Sequence, residues 1–268
     1  MVVLKTLEQI KGIRKSCNLV SMALSILSKE VKPGITTNYL DKLAEEFAYD
    51  NNAIPAFKGY KGFPYSICAS TNNEIVHGMP SEKILNEGDI ISIDYGLNLD
   101  GYFGDSSITL PVGEVSDEIK KLIQTGQECL YLGIDQVYSG NRLNKISHAI
   151  FSHARGKNYN VIKQFVGHGI GLNLHEPPQI PNYTKAPNEG LLMHPGLVIA
   201  IEPMIVGGYN KVIIDKNGWT ARTVDNSLAV HWEHTILITG EGTEILTLRK
   251  EEEPYDQTRI KRKGTLHT

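Results

Sequence analysis

The sequence predicts an α/β (α+β) domain built from two pseudo-symmetric halves that meet near residue 115. Three observations carry this. The 268 residues are 41% apolar and 21% charged, the balance of an ordinary globular chain with material for a substantial core. A pattern of helix, glycine break, helix and strand runs once and then restarts. Finally, Glu87-Gly88-Asp-Ile-Ile-Ser-Ile-Asp94 is echoed by Pro195-Gly196-Leu-Val-Ile-Ala-Ile-Glu202. Each is a turn, an apolar strand and a carboxylate at the same offset from its glycine.

In order along the chain, Leu7, Ile10, Ile13, Leu19, Ala23 and Leu27 recur at helical spacing and predict a helix over Leu7–Lys29. Lys32-Pro33-Gly34 breaks it. Thr36 or Thr37 caps a second helix through Leu40, Leu43, Ala44 and Phe47, which Asn51-Asn52 ends. Pro55–Pro64 reads as a loop and Tyr65–Ser70 as a short strand. Asp89–Leu97 is a largely buried strand, and Gly101–Pro111 is its hairpin partner. The restart predicts helices over Asp117–Leu132 and Leu143–Arg155, separated by Gly140. Strands are expected at Val161–Val166, Leu197–Ile205, Lys211–Asp215, Trp219–Thr223, Ser227–Thr239 and Glu244–Leu248. The domain thus spans residues 1–249, in halves of about 1–115 and 116–249. From Lys250 to Thr268 the chain is charged and nearly devoid of apolar side chains, which predicts a solvated tail. Its basic run, Arg259, Lys261, Arg262 and Lys263, is a candidate handle for RNA or the ribosome.

Several classes are excluded. A net charge of −3 argues against a whole-protein field for DNA. Three scattered cysteines without a CxxC pair suit a reducing compartment. The N-terminus has no apolar core of a signal peptide, and the longest apolar stretch is interrupted by Glu202 and Pro203. The expectation is a cytoplasmic protein with no membrane partner.

Four carboxylates sit in otherwise apolar strands: Asp94, Asp105, Glu202 and Glu233. An unpaired buried carboxylate costs several kcal/mol. A salt bridge or a cation would relieve it, and no Arg or Lys lies within the four motifs. The Asn98–Gly101 turn brings Asp105 back beside Asp94, where two acids either repel or share a cation. Oxygen-rich ligands point to Mn, Mg, Fe(II) or Co rather than structural zinc. Three histidines join them. His168 is flanked by glycines that permit close backbone approach; His175 lies in Leu174-His-Glu-Pro-Pro178 and His77 in Val76-His-Gly-Met-Pro80. A single such histidine is ordinarily a surface or core residue; three beside four strand-borne acids are not. The Gly167–Gly171 loop lacks dinucleotide spacing, His175-Glu176 is not HExxH, and neither a nucleophile elbow nor a phosphate loop occurs.

As a set, IVHGMP around His77, SIDYG around Asp94, GYFGDSS around Asp105, FVGHGIG around His168, LHEPP around His175, AIEPM around Glu202 and WEHT around Glu233 resemble the methionine aminopeptidases of the short bacterial type I form. The resemblance covers roughly residues 3–249. It implies the pita-bread fold, whose two pseudo-symmetric halves form a central curved antiparallel sheet covered by helices. It implies two divalent ions (Mn, Fe(II) or Co), with Asp94 chelating one, Asp105 and Glu233 bridging, and His168 and Glu202 holding the other. His77 and His175 would contact the scissile peptide, and Glu202 would relay a proton. Phe57, Tyr60, Phe63, Cys68 and Trp219 are the candidate lining of a methionine slot. Phe57 and Leu174 depart from the cysteine and the aromatic common at those places. The implied activity is removal of initiator methionine from nascent chains with a small second residue, by a monomer. X-Pro aminopeptidases and prolidases usually carry a large N-terminal domain for which this chain has no room. A non-catalytic relative would lack metal ligands, and all five are present.

Overall fold

The computed structural model describes residues 2–252. Four long helices and a set of antiparallel strands make up the chain, in the order helix pair, strands, helix pair, strands. Helix α1, Leu7–Glu30, is capped by Thr6, whose hydroxyl accepts from the Gln9 amide while the Gln9 side chain accepts from the Thr6 amide. Its buried face carries Ile10, Ile13, Cys17, Val20, Leu24 and Leu27, whereas Leu7, counted in the sequence as part of that face, is exposed because it precedes the first covered turn. Helix α2, Thr37–Asp50, is capped by Thr36. Helices α3, Asp117–Ile134, and α4, Asn144–Gly156, pack against each other.

The strands Ile90–Leu99 and Tyr102–Pro111 pair over their whole length, and Cys68–Thr71 pairs on the other side of Ile90–Leu99. In the second half, Val198–Ile201 lies between Val166–Gly169 and His234–Ile238. The strands of the two halves are joined by antiparallel pairing of Glu74–Val76 with Ala221–Thr223 and by an isolated bridge from Ser107 to Glu233. The largest buried cluster runs from Val20, Leu24 and Leu27 of α1 through Ile91, Ile93 and Tyr95 to Leu130, Ile146, Ile199 and Ile236. The helices thus cover strands from both halves with a shared core.

Three expected strands are interrupted. Val161–Val166 resolves into Asn160–Val161 and Val166–Gly169. Leu197–Ile205 splits into Val198–Ile201 and Met204–Val206, because Pro203 has no amide to donate to a ladder. Ser227–Thr239 splits into Ala229–His231 and His234–Ile238. Two of the gaps hold Glu202 and Glu233. The short strands Glu74–Val76 and Glu176–Pro181 escape the sequence reading: one is only three residues long, and the other carries three prolines. The chain stays packed past Lys250, the expected start of the tail, because a 3-10 turn at Lys250–Glu252 buries Glu252 against Arg249. The basic run at Arg259–Lys263 lies outside the described residues.

Candidate metal centre

Strand register brings the acids together. Asp94 stands opposite Cys68 on one side and Ser107 on the other. Asp105 is two residues from Ser107, so both carboxylates leave the same face of the sheet. Glu233 docks on the same strand: its amide donates to the Ser107 carbonyl at 3.0 Å, and its carbonyl accepts from the Ser107 amide at 3.3 Å and the Ser106 hydroxyl at 2.5 Å. His168 lies opposite Ala200, two residues before Glu202, which places the imidazole and that carboxylate on one face. His168 Nε2 is 3.6 Å from Glu202 Oε1.

The glycines around His168 allow this sheet to close. A Cβ on Gly167 would lie 2.4 Å from the Ala200 carbonyl oxygen, and one on Gly169 would lie 2.3 Å from that of Pro177. Gly78 serves His77 similarly, since a Cβ there would meet the Ala69 carbonyl oxygen at 2.5 Å. His77 itself takes a left-handed φ of 59°. Such a conformation in a residue other than glycine persists only where its surroundings hold it, and it recurs at functional sites.

Electrostatically the cluster is incomplete. Burial pushes Asp94 well above the usual carboxylate range, with Asp105 and Glu202 adding repulsion. Glu202 is raised by burial and by Asp105. Glu233 is raised by burial, then by Asp105, Asp94 and Glu202. Burial carries Asp105 to about 7, although hydrogen bonds from Asp94 and the Ser106 amide oppose the rise. Asp94 Oδ1, Asp105 Oδ1 and Glu233 Oε1 have no hydrogen-bond partner among the described residues. Buried oxygens are ordinarily satisfied, so three orphans at one place call for a ligand. Ligand atoms of Asp105, His168 and Glu233 all lie within 4.8 Å of one another. A donor set of carboxylates with one imidazole fits divalent ions of the Mn, Fe(II) or Co type.

The imidazoles are neutral near pH 7. Burial lowers His168 to about 4, and its Nδ1 meets the Gly169 carbonyl at 2.9 Å, leaving Nε2 for a ligand. Burial, then Lys61, lowers His77 to about 4. Burial, then His168, Lys61 and His77, lowers His175 to about 3. His175 stacks on Tyr60 with ring centroids 5.2 Å apart, and its Nδ1 is 3.1 Å from the Tyr60 hydroxyl.

A cavity of about 360 Å³ opens onto the acids. Phe57, Tyr60, Phe63, Cys68, His77, Asp94, Asp105, His168, His175, Glu202, Trp219 and Glu233 all line it, so every residue singled out in the sequence meets there. Phe63 packs edge-on against Trp219 at 5.2 Å. Burial raises the Cys68 thiol well above its ordinary value, with Asp94 adding to the rise. The thiol is therefore un-ionised, a wall rather than a nucleophile.

Sequence reasoning missed two residues. His231 is buried in the cavity wall, with Nε2 3.8 Å from Glu202 Oε2. Its spacing of two from Glu233 was the available signal. The second is Arg249, a buried cation whose charge partly offsets the rise at Glu233. It lies far from all four acidic motifs in sequence, so no local pattern pointed to it.

Comparisons with known proteins identify the family. The model of metallopeptidase family M24 matches residues 11–240. The chain is 47% identical to methionine aminopeptidase 1 of Bacillus subtilis, over 92% of this chain and 99% of that one. It is 46% identical to the methionine aminopeptidase of Clostridium acetobutylicum, again over 92% and 99%. The crystal structure of methionine aminopeptidase from Rickettsia prowazekii superposes with a TM-score of 0.90 at 41% identity, covering 92% of this chain and all of that one. With the family model matched over most of its length and these relatives covered almost end to end, this pita-bread chain belongs to metallopeptidase family M24.

Proposed function

We propose that this protein removes N-terminal methionine from polypeptides whose second residue is small, by metal-dependent hydrolysis of the Met-X peptide bond. The observation that carries the reading is the convergence of four acids, Asp105 and Glu233 buried and three of the four with orphaned oxygens, on one cavity also lined by aromatic side chains and neutral histidines. Membership of a metallopeptidase family carries the use of divalent metal. That there are two ions, of Mn, Fe(II) or Co, held by Asp94, Asp105, His168, Glu202 and Glu233, is part of the proposal. When bound, such ions lower the pKa of water and polarise a carbonyl.

The chain's own residues supply the rest. Phe57, Phe63, Cys68 and Trp219 offer an apolar wall to an unbranched, polarisable side chain such as methionine's. His175 is oriented through Nδ1 by the Tyr60 hydroxyl, which leaves Nε2 to donate to the substrate carbonyl oxygen as it gains charge. His77 is fixed by its backbone and by edge-on contact with Phe165 at 5.4 Å, and it orients the scissile amide. Glu202 lies between His168 and His231 and carries a proton from the attacking water to the leaving amine. Closed walls on the methionine side favour a chain end over an internal segment.

The natural substrates are nascent chains, and we place the activity in the cytoplasm as a monomer. All three cysteines are unpaired and buried, and no described helix is long and apolar enough to cross a membrane. The basic residues of 250–268 are candidates for a ribosome contact, supported by their charge alone. A panel of metal-loaded digests, Met-X-Ser with X varied and products read by mass spectrometry, tests the reading. Cleavage is expected for Gly, Ala and Ser at X and not for Leu or Arg; indifference to X would refute it.

A further inference from the structure

A buried charged network adjoins the acidic cluster, and none of its members lines the cavity. Arg249 is 2% exposed. One of its terminal nitrogens donates to the Ser106 hydroxyl at 3.1 Å and the other to Glu252 Oε1 at 2.7 Å. Ser106 is fully buried and donates onward to the Glu233 carbonyl at 2.5 Å. Glu252 Oε2 accepts from the Arg249 amide at 3.3 Å and lies 3.4 Å from His234 Nε2. His234 Nδ1 meets the Thr247 hydroxyl at 2.9 Å, which also accepts from the Thr235 amide at 3.0 Å. The Thr235 hydroxyl donates to the Asp105 carbonyl at 2.8 Å.

The network grips both central acids by their neighbours. Ser106 follows Asp105, and His234 follows Glu233. Beside Asp105 and Glu233 the strands of the two halves are linked by one isolated bridge, Ser107 to Glu233, while their other pairing, Glu74–Val76 with Ala221–Thr223, lies elsewhere in the fold. A one-bridge junction has little backbone pairing to hold its spacing. A planar guanidinium reaching two acceptors supplies what the ladder does not. Arg249 lowers Glu233 by its charge as well as holding Ser106, so the test removes Arg249 and Glu252 together to keep the net charge constant and read the geometry.

We propose that Arg249 is a positioning residue for the divalent-cation site: through Ser106 it sets the spacing of Asp105 and Glu233, and the segment 249–252 is thereby part of that site. This rests on reading Asp94, Asp105, His168, Glu202 and Glu233 as cation ligands. Outer partners of metal ligands typically govern affinity by about 10- to 100-fold.

The test is Mn²⁺ titration of chelator-stripped, full-length protein by calorimetry. Arg249→Met with Glu252→Gln removes the pair without a net change of charge. Its Mn²⁺ affinity is expected to fall about 10-fold or more, with circular dichroism unchanged. Arg249→Lys keeps a donor toward Ser106 and is expected to recover most of that loss. Should the double variant fail to fold, Ser106→Ala removes only the relay and is expected to weaken Mn²⁺ binding several-fold. Wild-type affinity in a folded double variant, or in Ser106→Ala where the double variant does not fold, would overturn the inference while leaving the ligand reading intact. A wild-type protein that binds no Mn²⁺ would overturn both.

Discussion

In the proposed reaction His175 and His77 act as neutral imidazoles, since their surroundings lower both below the ordinary histidine value. With values of about 3 and about 4, both imidazoles are un-ionised near pH 7. Replacing either with alanine is expected to reduce kcat/KM by about 100-fold or more. Mn²⁺ affinity should stay near wild type, since neither supplies a ligand in this scheme. Glu202→Gln is expected to lose both turnover and metal affinity, because that carboxylate serves both. A His175→Ala protein with wild-type turnover would remove the histidine from the reaction. At this scale the sequence was informative: an acid in an apolar strand is anomalous on its own, and Asp94, Asp105, Glu202 and Glu233 could each be found without a structure. His231, whose one signal was its spacing of two from Glu233, and Arg249 were missed. The first is a histidine among apolar neighbours, which is usual, and the second is brought to the acids only by folding.

Elements were legible to differing degrees, for physical reasons. The helices α1 to α4 announce themselves through periodicity, α1 to α3 also through Thr or Ser caps, and their bounds fall within two residues of the expected ones, Asp117–Ile134 against Asp117–Leu132 for α3. Strands were merged where function interrupts them. Glu202-Pro203 and Trp232-Glu233 lie inside continuous apolar runs, and only the structure shows the ladder stopping at each carboxylate. The His77-Gly78 turn is another tight junction. In Gly78→Ala the new Cβ would meet the backbone of the Cys68–Thr71 strand, whose atoms cannot swing aside as a side chain could. Overpacking of this kind costs about 1–3 kcal/mol, or a fall of roughly 2–6 °C in Tm for a chain of this size. Turnover is expected to fall further than stability alone explains, since the turn carries His77. A Gly78→Ala protein with unchanged Tm and unchanged turnover would show that the junction has slack.

At the scale of the molecule, acids from both halves converge on one cavity. Without cations the folded state holds protons on Asp94, Asp105, Glu202 and Glu233 that the unfolded chain has already released above about pH 4.5. Raised carboxylates therefore stabilise the metal-free fold least at neutral and higher pH, and that handicap shrinks as pH falls. Cations compete with those protons for the same oxygens. Added Mn²⁺ is accordingly expected to raise Tm more at pH 7.5 than at pH 5.5, as thermal denaturation with and without chelator will show; an equal or reversed effect would separate the cation from these acids. Deletion of 254–268 is expected to leave cleavage of short peptides unchanged, and a ribosome-pelleting comparison tests the tail separately. The pseudo-repeat, visible in the matched runs ending at Asp94 and Glu202, made the two-half architecture readable before any coordinate. The bridge that joins the halves was not, because Ser107 and Glu233 are paired across the whole length of the second half.

The most direct test of the central claim is hydrolysis of Met-Ala-Ser by chelator-stripped protein, with Mn²⁺, Co²⁺ or Fe²⁺ restored one at a time. Free methionine is expected only when metal is returned, with Leu-Ala-Ser and Pro-Ala-Ser left intact. No methionine under any of the three ions, from protein shown to be folded, would contradict the assignment.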